Sequence, residues 1–342
     1  MSDIPVSVPI LQQSAAELPD PQQPDRESRK MRDPIVMLIL MSVACWSPCA
    51  GADKPDCAVI GYLPEYRIEQ VQPEHCRALT CLIYFGLKPQ ADGRIAASPV
   101  RLSVLKKLKA IKRLSRCRML ISAGGWERSD GFPALAGHQA ARKRFITDVH
   151  SFCRQHGFDG VDYDWEHPKG AAELASYVRL LAETKAAFRE DGLLVTVAQA
   201  SWQNLGSEAY GVVDRIHLMA YDHDYPQATP GKGRADVERL IEWDCPPGKI
   251  ALGLPFYGRN RTGMARTYAE FVGTRQVDPD TDNIDGYAFN GRTTITAKVN
   301  FAMQRRLAGV MIWEVGQDTR RTDLSLLTTI DRQIRLRSRQ SR

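Results

Sequence analysis

The chain has 342 residues, 43% of them hydrophobic and 25% charged, and a formal charge of +6. That is ordinary soluble globular composition, with enough apolar material for a sizeable core. Its lysines and arginines are scattered apart from arginine-rich ends, with no basic stripe interleaved with aromatics, so no nucleic-acid partner is expected.

Residues 1–30 are rich in Pro, Gln, Ser and charge, with little that could pack. Met31-Arg32-Asp33 then leads into the apolar run Ile35–Trp46, and small residues follow at Ala50-Gly51-Ala52. A short apolar region before an A-x-A pattern predicts a secretory signal cut near Ala52, giving a secreted or periplasmic protein. The signal is more regular if translation begins at Met31. Ser42-Val43-Ala44-Cys45 offers an alternative, lipoprotein anchoring through Cys45. The run is too short for a membrane span, so none is expected in the mature form. The chain therefore divides into a leader, residues 1–52, and one domain, residues 53–342. Beyond the leader lie Cys57, Cys76, Cys81, Cys117, Cys153 and Cys245, with no C-x-x-C pair, which argues against a zinc or redox site. Export permits disulfides, but Cys81 and Cys153 sit in core-like patterns that read as buried thiols.

Eight short apolar runs follow in order: Ala58–Tyr62, Leu79–Phe85, Arg118–Ser122, Gly160–Trp165, Leu193–Ala198, Arg215–Tyr221, Lys249–Pro255 and Gly309–Trp313. Most are apolar on both faces, as strands of a covered parallel sheet should be. Helical spacing separates them, as in Val104, Leu105, Leu108, Ile111 and Leu114, in Phe145, Ile146, Val149 and Phe152, and in Leu174, Tyr177, Val178, Leu181 and Phe188. Eight such units predict an α/β fold, a single-domain (β/α)8 TIM barrel. A doubly wound sheet is the rival, but no Gly-rich phosphate turn follows the first run. In a barrel the chemistry sits at the C-terminal strand ends, and polar residues do follow the runs: Asp164-Trp165-Glu166, Tyr221-Asp222 and Tyr257-Gly258-Arg259 are examples.

The fourth run reads Asp159-Gly160-Val161-Asp162-Tyr163-Asp164-Trp165-Glu166. Strand alternation puts Asp162, Asp164 and Glu166 on one face and Val161, Tyr163 and Trp165 on the other. If the apolar set packs outward, three carboxylates spaced ~7 Å apart point into the barrel. Repulsion and burial then raise the pKa of at least one, giving the protonated acid that glycosidic cleavage needs. Three other readings stay open for the acids: a solvated edge, a hard-cation site, or pairing with buried arginines.

The segment Asp159-Gly160-x-Asp162-x-Asp164-x-Glu166 resembles the D-G-x-D-x-D-x-E signature of family 18 glycoside hydrolases, the chitinases and their relatives. Ser122-Ala123-Gly124-Gly125 is similar to the family's third-strand motif, and Met219-Ala220-Tyr221-Asp222 to its sixth. Gly253–Arg259 and Gly309–Glu314 are similar to strands seven and eight. The resemblance implies substrate-assisted retaining hydrolysis without metal or cofactor. Glu166 would be the proton donor, Asp164 would orient the 2-acetamido group, Asp162 would share a proton with Asp164, and Tyr221 would hold the acetamido carbonyl. Substrate contacts are implied at Tyr62, Trp126, Met219, Asp222, Tyr257, Arg259 and Trp313, with Trp313 as the floor.

The expected partner is an N-acetylglucosamine polysaccharide or oligosaccharide, bound by a monomer. His167 is expected at the rim, and Trp202 in the core or at the rim. Tyr84-Phe85-Gly86 departs from the family's second-strand aromatic, shifting or removing it. Only 49 residues separate Arg259 from Gly309, enough for two helices but not for a full chitinase insertion, so a shallow cleft is expected. A glycan-binding lectin of the same fold, and hydrolysis of peptidoglycan or N-glycan cores, are the alternatives.

Overall fold

A computed structural model describes residues 57–95, 100–273, 278 and 280–340. The expected leader, the start at Met31, the cut near Ala52 and the anchor at Cys45 all lie outside the described residues.

Eight parallel strands close into a barrel, β1 (Ala58–Pro64), β2 (Cys81–Leu87), β3 (Arg118–Gly124), β4 (Gly160–Asp164), β5 (Leu194–Ala200), β6 (Arg215–Met219), β7 (Ile250–Pro255) and, after a short excursion, β12 (Gly309–Trp313), which returns to pair with β1. Each predicted run overlaps one of these strands, with β1, β2, β3 and β5 extending two residues further. The helices around them are α1 (Leu102–Ser115), α2 (Phe132–Gly137), α3 (Gln139–His156), α4 (Gly170–Phe188), α5 (Gly206–Val212), α6 (Pro230–Glu242), α7 (Tyr268–Val272), α8 (Arg292–Gln304) and α9 (Leu326–Gln340). Among the described residues, no helix is long and apolar enough to cross a membrane.

The chain between β7 and β12 carries more than the two helices expected there. Four short strands, β8 (Tyr257–Arg259), β9 (Ala265–Thr267), β10 (Asn283–Ile284) and β11 (Tyr287–Ala288), form a small antiparallel sheet ordered β10-β11-β8-β9. Strands of two or three residues are too brief to show period-2 alternation, which is why the sequence pattern hides them.

Two local features place β4. The Asp159 carboxylate accepts the Met119 N–H at 2.7 Å and lies 2.6 Å from Lys112 Nζ, pinning the start of the strand to β3 and α1. Gly160 has φ +150°, and a Cβ there would stand 2.1 Å from the Leu194 carbonyl oxygen. Only glycine allows β4 to approach β5 so closely. Outside the barrel, Tyr163 and Trp165 join Phe132, Phe145 and Tyr177 in an aromatic cluster. Trp165 stacks on Phe132 with ring centroids 5.1 Å apart, and Tyr163 Oη bonds Thr184 Oγ1 at 2.7 Å.

The thiols of Cys76, Cys81, Cys117, Cys153 and Cys245 are buried, and none is in a disulfide among the described residues. Burial pushes those of Cys76, Cys81, Cys153 and Cys245 up to about 12.

Candidate active site

Alternation along β4 has the predicted result. Asp162 and Asp164 are buried inside the barrel at 0% and 3% exposure, and Asp164 and Glu166 line a cleft of about 650 Å³ at its mouth. In register, Asp162 stands between Ser122 on β3 and Thr196 on β5. Its carboxylate accepts the Thr196 hydroxyl at 2.5 Å and the Tyr62 hydroxyl at 2.6 Å, with His217 Nδ1 3.0 Å away. The acids therefore neither form a solvated edge nor pair with buried arginines. No hydrogen bond joins Asp162 to Asp164 in this structure; the charge of Asp162 acts on its neighbour across the gap.

Asp164 behaves differently. Its Oδ1 is buried without a hydrogen-bond partner, and burial, then the charges of Glu166 and Asp162, hold its carboxyl well above the usual carboxylate range. Glu166, with a side chain 15% exposed, is pushed up to about 7 by burial, opposed by the Trp126 backbone N–H and assisted by the charge of Asp222. The Glu166 backbone is held in turn by its N–H to Ser129 Oγ, 3.0 Å. A carboxylic acid poised near neutral pH at the mouth of a water-accessible cleft is suited to proton donation.

Tyr62, Trp126, Met219, Tyr221, Asp222, Arg259 and Trp313 all line the same cleft as Asp164 and Glu166, so the structure assembles those predicted residues. Tyr257 adjoins them: it lines a neighbouring hollow that shares Asp222, Arg259 and Trp313 with the cleft, meets the Tyr221 ring edge-on at 6.3 Å, and donates its hydroxyl to Asp222 Oδ1 at 2.7 Å. Arg259 pairs with the same carboxylate and lies over the Tyr257 ring at 5.4 Å. Asp222 adopts φ +57°, and its N–H donates to Gln227 Oε1 at 3.1 Å.

On the second strand, Phe85 packs edge-on against Trp313 with centroids 5.7 Å apart, and Tyr62 lies 5.6 Å from the same ring. Gly125, at φ +104°, makes this possible, since a Cβ there would stand 2.1 Å from the Phe85 ring. Past Glu166 the cleft continues into a second hollow of about 550 Å³ that includes His167 and Trp202. Trp126 and Trp202 are 71% and 64% exposed, so Trp202 is a rim residue, and His167 meets it edge-on at 4.7 Å.

Sequence reasoning missed His217, fully buried beside Asp162, and the cleft residues Tyr225, Asn260 and Arg261. For His217 a signal existed, because alternation on β6 gives it the inward face of Met219. The other three lie on loops, where no periodicity guides assignment.

A closed parallel barrel whose acid row rises to an aromatic-lined mouth is the architecture of a barrel glycoside hydrolase. The chain belongs to the glycosyl hydrolases family 18, whose model matches residues 58–318. A chitinase from Bacteroides thetaiotaomicron superposes with a TM-score of 0.73 at 28% identity, covering 81% of this chain and 96% of that one. A family 18 chitinase of Flavobacterium johnsoniae gives 0.73 at 27%, covering 81% and 94%. In sequence, "Probable chitinase 2" of Drosophila melanogaster is 30% identical over 284 residues, which span 62% of this chain and 59% of the relative's own length.

Proposed function

We propose that this protein hydrolyses β-1,4 linkages in chitin or related N-acetylglucosamine glycans, retaining configuration through participation of the substrate's own 2-acetamido group. The observation that carries the proposal is the convergence of Asp164, Glu166 and Tyr221 on one cleft whose remaining lining is rich in aromatics. Pyranose rings present apolar C–H faces, and Trp313 and Trp126 offer ring surface for them. The names of the chitinase relatives support the substrate class.

In this reading Glu166 gives its proton to the glycosidic oxygen as the C1–O bond breaks. The acetamido carbonyl oxygen attacks C1, forming an oxazolinium ion. Asp164, kept neutral by burial, accepts the acetamido N–H on its free oxygen and turns its own O–H toward the charge left on Glu166. Tyr221, whose hydroxyl is otherwise only 3.9 Å from Met311 Sδ, donates to the acetamido carbonyl. Water then attacks C1 while Glu166 takes its proton, which returns the acid to its starting state. Each of these is a positioning or electrostatic effect.

The test is a product assay on chitin oligosaccharides beside peptidoglycan and N-glycan cores, with Glu166→Gln as the control. Turnover of an N-acetylated β-1,4 glycan by the wild type, lost in the variant, is expected. Efficient cleavage of glucosides lacking the N-acetyl group would overturn the mechanism. Binding without turnover in the wild type would favour a lectin. We further propose export, on the strength of the apolar run before Ala52.

A further inference from the structure

We propose that His217 is a positioning residue of the acid row: its Nδ1–H, held against Asp162, fixes the row's resting charge on Asp162 and leaves Asp164 to face the cleft as a neutral acid. This inference rests on the hydrolytic reading above and assigns a role to a side chain outside the family motifs quoted for it.

The argument begins with proton counting. Tyr62 has one hydroxyl proton, and the 2.6 Å contact to Asp162 Oδ2 uses it. His217 Nδ1 lies 3.1 Å from Tyr62 Oη and 3.0 Å from Asp162 Oδ1. Both oxygens then offer it only lone pairs, so a bare Nδ1 would be repelled twice, and a hydrogen on Nδ1 makes both contacts favourable. Full burial, seconded by the charge of Arg215, pulls His217 below its usual range against the attraction of Asp162. The ring is therefore neutral, with its single proton on Nδ1.

Asp162 thus receives three donors from three strands, Tyr62 on β1, Thr196 on β5 and His217 on β6. Asp164 Oδ1 receives none. Donors to a carboxylate favour its charged form, and a neighbouring charge disfavours a second ionisation, so the asymmetry decides which aspartate is ionised. The titratable groups facing this part of the interior are Tyr62, Cys81, Asp162, Asp164, Glu166, Arg215 and Tyr221. Burial holds the Cys81 thiol up at about 12 and the tyrosines well above their usual range, so these do not compete near neutral pH, while Glu166, at about 7, governs the opposite, basic limb.

The experiment is the pH dependence of kcat and KM on a soluble N-acetylchitooligosaccharide for wild type, His217→Leu, His217→Asn and Thr196→Val. Without the Nδ1 donor the first ionisation of the aspartate pair becomes harder. The acid limb of kcat/KM in His217→Leu is therefore expected to move up by about one pH unit, with kcat down roughly tenfold and KM changed less than about threefold. Asparagine places an N–H at the Nδ1 position, so His217→Asn should bring the limb most of the way back. Thr196→Val, nearly isosteric, removes another donor from the same oxygen and should shift the limb in the same direction; it carries the test if His217→Leu does not fold.

A histidine that merely packs would lower the melting temperature of the leucine variant and leave the limb where it was, and that result overturns the proposal. So does an asparagine variant indistinguishable from leucine. A readout free of turnover is 15N NMR of histidine-labelled protein. It should show a neutral, Nδ1-protonated ring for His217 at about pH 7, and an Nε2-protonated or charged ring there refutes the inference. A wild type inactive on every N-acetylated glycan refutes the hydrolytic reading instead, and leaves the tautomer measurement standing.

Discussion

The two faces of β4 do opposite things. Its inward face carries Asp162, Asp164 and, just beyond the strand, Glu166, buried acids that cost folding free energy. Its outward face carries Val161, Tyr163 and Trp165, packed against Phe132, Phe145 and Tyr177. Neighbouring residues along one backbone thus serve chemistry and stability separately. A strand makes that separation possible because successive side chains share the backbone and little else. Substitutions on one face should therefore move one property and leave the other.

The sharpest contrast is expected at Glu166. Glu166→Gln should lower kcat by roughly 10³-fold while circular dichroism and glycan binding stay as in the wild type. Loss of fold in this variant would erase the contrast. Asp164→Asn should cost about 10²-fold in kcat, since a carboxamide N–H is a weaker donor than a carboxyl O–H to the charge left on Glu166 and cannot ionise to offset the oxazolinium ion. Across the strand, Trp165→Ala should lose about 3–5 kcal/mol of stability by denaturant titration, with kcat per folded molecule unchanged. A large drop in kcat there would show that the two faces are mechanically linked.

Acidity offers a finer probe. Glu166 is held at about 7, above the 4.5 expected in an unfolded chain, so its ionised form is disfavoured by the fold. Its contribution to stability should therefore fall as pH rises between those values and stay low above them. Glu166→Gln removes this loss and should be the more stable protein at about pH 8, by on the order of 2 kcal/mol, with the two equal near about pH 4. Turnover by the wild type should decline above about pH 7 as the acid ionises.

Much of this was legible in the sequence. Apolar runs marked all eight barrel strands, and period-2 alternation put the acid row inside and the aromatics outside. The order of motifs placed Asp164, Tyr221 and Glu166 at one mouth. What escaped has physical reasons. Strands β8 to β11 are shorter than one cycle of any reliable pattern. Tyr257 lies on β8, one of these short strands, and lines a hollow beside the cleft together with Asp222, Arg259 and Trp313. His217 was passed over because a histidine in an apolar run reads as core; only its distance to Asp162 separates it from one. On the second strand, Phe85 reaches Trp313 because Gly125, just after β3, carries no Cβ to block its ring.

The buried sulfurs have a consequence for how this barrel can be watched. Five thiols are buried in the wall, Cys76 and Cys81 near Cys117, and Cys153 and Cys245 elsewhere, un-crosslinked and held far from the reactive thiolate form. An alkylating reagent reaches them only when the surrounding structure opens. The order in which Cys76, Cys81, Cys117, Cys153 and Cys245 become labelled is therefore a record of which part of the barrel parts first, kept by the protein without any engineered probe.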